Sequence, residues 1–189
     1  LKQLKWLMSA LTVFWYWGLG MFWADSADRG VGMGISGTTI GIIFASGYLA
    51  SMLGNGIAIG LSRKFNRAGP MLIAGLVHLL VYFLFYLSTG PEDSSIYIVA
   101  VLLYSLSWAI FTPFQLGLYS EFSVDGRFTA TFLPATVVGM TLGTQTNAVL
   151  GEDAKIIMVT ILLTICISSY YYVFRKLPKL REDLAATYK

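Results

Sequence analysis

The sequence predicts an all-α membrane protein with six transmembrane helices. Three observations carry that expectation: six long apolar runs, a shortage of charge, and a lopsided distribution of basic residues among the connections. The runs cover residues 6–24, 35–61, 69–88, 95–119, 128–150 and 156–174, the shortest of them 19 residues long. A helix of about 20 residues crosses the roughly 30 Å of hydrocarbon in a bilayer. Charged residues make up 12% of the chain, about half the share of an ordinary water-soluble domain, so a soluble fold of this size would lack a surface. Threading the six spans puts eleven of the 13 Lys and Arg on one side: Lys2, Lys5, Arg63, Lys64, Arg67, Arg127, Arg175, Lys176, Lys179, Arg181 and Lys189. Only Arg29 and Lys155 fall opposite, which places both termini in the cytoplasm of a plasma or bacterial inner membrane.

Residues 1–176 therefore read as one transmembrane domain, and residues 177–189 as a short basic tail lying at the interface, with Pro178 closing the sixth helix. The net charge of +3 is a sum of cytoplasmic anchors beside anionic lipid; no basic stripe interleaved with aromatics points to nucleic acid. One cysteine, Cys166, excludes an intrachain disulfide and reads as a small buried hydrophobe. With one His, one Cys and carboxylates confined to connections, no metal constellation or cofactor is expected.

In the first span, Trp15, Tyr16 and Trp17 lie at depth, either as a stacking surface for an amphipathic ligand or as plain packing. Asp25, Asp28 and Arg29 follow it, as an outer gate or a local pair at spacing four. The second span carries a small-residue face, Gly47, Ala50, Gly54 and Ala58, for close helix approach. Beside it runs a polar edge of Tyr48 and Asn55. His78 in the third span is the sole imidazole, suited to proton relay or to one structural hydrogen bond.

The fourth span gives the clearest pattern. Tyr104, Trp108, Thr112, Gln115 and Tyr119 advance by four, four, three and four residues, one stripe on one helix face. Facing lipid, they would leave polar groups unpaired, so the stripe lines a cavity or packs against other helices, with Pro113 able to bend the helix there. The fifth span holds Thr136, Thr141, Gln145, Thr146 and Asn147 around its glycines and Pro134. The run Thr144, Gln145, Thr146, Asn147 is either enclosed and wet, or lies at the headgroups where the helix has already ended.

An intramembrane serine protease is the enzyme reading to weigh, since Gly34-Ile35-Ser36-Gly37 offers G-x-S-G and His78 a base. Ser36 opens its span at the outer surface while His78 lies roughly 13 Å deeper, beyond hydrogen-bond reach, so no enzyme is expected.

The connection Gly60-Leu61-Ser62-Arg63-Lys64-Phe65-Asn66-Arg67 resembles the G-x-L-A-D-R-x-G-R loop of the major facilitator superfamily, with Arg63 in place of its aspartate and Asn66 of its second glycine. Asp125-Gly126-Arg127, then Thr131-Phe132-Leu133-Pro134-Ala135 and Gly139-Met140-Thr141-Leu142-Gly143, is similar to that family's passage from helix ten into helix eleven. The resemblance implies a C-terminal six-helix half, a 3+3 inverted repeat whose first, second, fourth and fifth helices surround a cavity. It also implies a cytoplasmic gating loop at Gly60, Arg63, Lys64 and Arg67. The expectation is a permease half carrying a small organic solute by alternating access, partnered by the lipid bilayer and by an N-terminal half or a second copy. A non-transporting assembly or delivery factor of the same fold is the alternative.

Overall fold

In a computed structural model, residues 2–123 and 126–187 are described, with side chains over 3–123 and 126–179. Asp125 of the second resemblance stretch and Lys189 of the tail lie outside them. The described chain is helical throughout: α1 (Lys2–Gly32), α2 (Gly37–Lys64), α3 (Ala68–Leu87), a 3-10 turn at Pro91–Asp93, α4 (Ser94–Glu121), a short α5 (Arg127–Ala130), α6 (Phe132–Val149) and α7 (Glu152–Thr187). Five helices, all but α6 among the long ones, are apolar and long enough to cross a membrane. Their outer faces, such as Leu49, Met52, Leu53 on α2 and Ile157, Ile161 on α7, leave large hydrophobic side chains uncovered. Such a surface belongs in lipid rather than in water.

Several boundaries differ from the sequence expectation for identifiable reasons. The fifth span is not one run: it breaks at Thr131 into α5 and an 18-residue α6, and the polar run at 144–147 keeps α6 below the others in hydropathy. That run is nevertheless helical, so the helix does not end before it. Nor does α7 stop at Pro178, which lies inside it; the ring is one turn and more past the apolar segment, where a lost backbone hydrogen bond can be made to water. α1 outlasts its apolar run by two turns, so Asp25, Asp28 and Arg29 stand on helix rather than in a loop.

The turn from α1 to α2 accounts for residues that sequence alone could mistake for chemistry. Gly34 adopts φ 79°, while Ile35 N–H donates to Gly30 O (3.0 Å) and Gly34 N–H to Val31 O (2.9 Å). This is the glycine-dependent Schellman closure of a helix. Ser36 then caps α2, its Oγ accepting from Thr39 N–H at 3.2 Å. The G-x-S-G string is a helix stop followed by a helix start.

Contacts are most extensive between α1 and α6 and between α2 and α4, followed by α3–α4, α3–α7 and α1–α7. Glycine makes the first two possible. A Cβ on Gly143 would lie 2.7 Å from Gly20 Cα and Met21 N, and one on Gly139 2.7 Å from Tyr16 Cβ. On α2, a Cβ on Gly54 would meet Leu106 O at 2.6 Å and one on Gly47 the Ser105 hydroxyl at 2.8 Å. Ala58 is buried beside them and Ala50 partly so, as the small-residue face requires. Between α1 and α4 the filling is aromatic: Trp15 stacks on Phe111 and Phe22 on Tyr104, each pair with ring centroids 3.8 Å apart.

Replacing Gly143 by Leu should force α1 from α6 and cost about 1–3 kcal/mol or more. Gly56→Leu, where a Cβ meets nothing within 4 Å, should leave the thermal midpoint in detergent nearly unchanged.

Candidate functional site

A groove of about 270 Å³ lies where α1, α4 and α6 meet, lined by Tyr16, Leu19, Trp23, Trp108, Thr136, Val137, Met140 and Thr141. Each helix contributes for a local reason. The glycine contacts of α6 bring its backbone against α1 and leave Val137 and Thr141 open on the adjoining face. On α4, the Trp108 ring is partly exposed, while its indole N–H is buried beside the Tyr16 hydroxyl. Tyr16 OH and Thr112 Oγ1 lie 3.3 Å apart and bind α1 to α4 beside the groove. The site thus presents aromatic faces and two threonines, without a formal charge among its lining residues.

The rest of the α4 stripe is packed rather than open. Gln115, wholly buried, donates from Nε2 to Thr12 Oγ1 (3.1 Å) and to Tyr170 OH (2.5 Å). Thr12 Oγ1 is 2.7 Å from Tyr119 OH, which also bonds Met8 O at 3.1 Å. Tyr104 OH donates to Leu19 O at 3.2 Å. One knot therefore ties α1, α4 and α7 together. Trp15 is likewise enclosed, stacked on Phe111 and tilted over His78, which makes it a packing residue and not a ligand platform.

His78 is fully buried, with Ser107 Oγ 2.6 Å from Nδ1 and the rings of Trp15 and Tyr104 around it. A hydrogen bond between α3 and α4 is the role this geometry gives it. Of the polar edge on α2, Tyr48 is 66% exposed and Asn55 is exposed as well; neither reaches the groove. On α6, Gln145 is exposed and Asn147 partly so, its Oδ1 buried without a partner. Thr146, in the same polar run, accepts from Trp17 Nε1 at 2.9 Å.

The two basic residues that broke the charge rule meet at one end of the bundle. Lys155 Nζ donates to Asp25 Oδ1 (3.0 Å) and Glu152 Oε1 (2.9 Å). Arg29 donates to Asp25 Oδ2 (3.0 Å), to Ser88 O (3.1 Å) and to Glu152, with its guanidinium over the rings of Phe85 and Tyr86. Two cations and two carboxylates cancel, clamping α1, α3 and α7. Asp28 stays exposed outside this clamp. At the opposite end Arg67 Nη1 donates to Gly117 O and Glu121 Oε1, both at 2.6 Å, and so caps the C-terminus of α4. Gly60, Arg63 and Lys64 are exposed.

Gln115→Leu should cost about 1–2 kcal/mol of stability, because Thr12 and Tyr170 lose a shared donor where no water replaces it. Gln145→Leu, on an exposed position, should stay within about 0.5 kcal/mol in the same equilibrium unfolding measurement. No protein-family profile, curated protein or solved structure matches this chain.

Proposed function

We propose that this chain is one six-helix half of a secondary active transporter, and that the groove between α1, α4 and α6 is its part of the solute pathway. The observation that carries the reading is the groove's composition: aromatic walls with hydroxyls and no charge. Such walls suit a small neutral or weakly cationic organic solute, packed against the rings of Trp23 and Trp108. A strongly anionic solute would want Arg or Lys at depth.

Two features support the 3+3 inverted repeat. Exchanging α1, α2, α3 with α4, α6, α7 maps the α1–α6 contact onto α4–α2 and the α3–α4 contact onto α7–α1, while α3–α7 maps onto itself. The glycine-rich helices of the two triplets, α2 and α6, then hold equivalent places, α2 against α4 and α6 against α1, with Tyr48, Asn55, Thr141 and Gln145 left uncovered. These uncovered polar groups are what an opposing half or a second copy would meet. Arg67 on the α4 carboxyl end supports a gating role for the basic loop: a guanidinium released from Glu121 and Gly117 would free that end of α4 to move.

The test is solute uptake into proteoliposomes by the protein with its complementary half or in its self-assembled form. Trp108→Phe and Thr141→Ala should each lower flux at least tenfold while leaving the thermal midpoint within about 2 °C of wild type. Unchanged flux in both, or a stable co-purifying protein partner with no flux at all, contradicts the proposal.

A further inference from the structure

A second cavity, on the other side of α4, has a different character. It runs between α2, α3 and α4, measures about 430 Å³, and is walled by Leu61, Phe65, Ile73, Val77, Leu103 and Ile110 among others. Its one hydroxyl belongs to Ser107, already committed to His78 Nδ1 at 2.6 Å and to Tyr104 O at 3.1 Å. From Gly69 to Val77 the cavity follows nine residues of α3, roughly 12 Å of helix. An elongated slot with no free polar group selects hydrocarbon.

The mouth of the slot is not apolar. Phe65, 59% exposed, stands between it and a polar recess of about 380 Å³ lined by Ser62, Asn66, Arg67 and Glu121. Arg63 and Lys64, immediately before Phe65, are exposed and form no ion pair among the described residues. Arg67 is spent on Glu121 and Gly117, so Arg63 and Lys64, which precede the slot residue Phe65 in the chain, are the cations of this connection left for an anion. We infer that the α2–α3–α4 slot and the Arg63–Lys64 pair form a binding site for one anionic glycerophospholipid, its acyl chain along the slot and its phosphate at the two cations. The inference rests on the chain being embedded in a membrane and not on its carrying a solute. Basic pockets between transmembrane helices recognise anionic headgroups by this division of labour between hydrocarbon burial and charge.

Native mass spectrometry of the full chain in detergent tests it, with phosphatidylglycerol and phosphatidylcholine of identical dioleoyl chains as probes. Wild type should retain one phosphatidylglycerol with at least tenfold preference over phosphatidylcholine. The double variant Arg63→Gln/Lys64→Gln should lose about ten- to thirtyfold in phosphatidylglycerol affinity. Ile73→Trp, filling the slot from an exposed position, should weaken both lipids alike. Should Ile73→Trp fail to fold, the double variant decides alone, since both its positions lie outside the core. Equal retention of the two lipids by wild type, undiminished phosphatidylglycerol binding by the double variant, or a polypeptide held in the slot in place of lipid would each overturn the inference.

Discussion

Hydrocarbon offers no hydrogen-bond partner, and that constraint organises the bundle. Each polar side chain within the apolar helices must find its partner on the same or another helix. The knot pairs the hydroxyls of Thr12, Tyr119 and Tyr170 with one another and with the Gln115 amide N–H groups, joining α1, α4 and α7. Because it takes Gln115 and Tyr119 from the α4 stripe, it also narrows what remains available. Tyr104, Gln115 and Tyr119 hold helices together, leaving Trp108 as the α4 residue that lines the groove and Thr112 bonded to Tyr16 beside it.

Glycine supplies the complementary half of the design. Where α6 crosses α1 and α2 crosses α4, backbones come close enough that a single Cβ would collide, so attraction there is dispersion between main chains. The two close crossings leave α2 and α6 with broad uncovered faces. Charge is then confined to the ends, where Asp25, Arg29, Glu152 and Lys155 close one rim and Arg67 with Glu121 closes the other. Both clamps join elements distant in sequence, so loosening either would change how the helices splay at that rim.

Much of the helical plan was legible in the residues because it depends on local composition. Apolar length located the helices, glycine spacing located the tight face of α2, and the positions of Arg29 and Lys155 marked them as exceptional before their partners were visible. What stayed hidden depends on relations across the fold. Spacing put Gln115 and Trp108 on one stripe, yet only the arrangement of α1, α6 and α7 around α4 assigns the first to a knot and the second to a groove. Likewise Pro178 and the 144–147 run looked like helix ends by propensity; at these places the helix continues because its frame is set by neighbours or by water at a rim, not by the residue alone. Val137 and Met140 lacked any polar or periodic mark, and their place in the groove follows from the glycine crossing beside them.

The division of α4 into a dry knot and an open groove is the claim on which the functional reading stands, and cysteine accessibility measures it directly. The native Cys166 is fully buried and gives a low background. Single cysteines introduced at Val137 and Thr141 should react quickly with a membrane-impermeant maleimide in reconstituted vesicles, while one at Gln115 should stay unlabelled until the protein is denatured. Rapid labelling at Gln115 together with silence at Val137 and Thr141 would place the water-filled path on the wrong side of the knot and contradict the account.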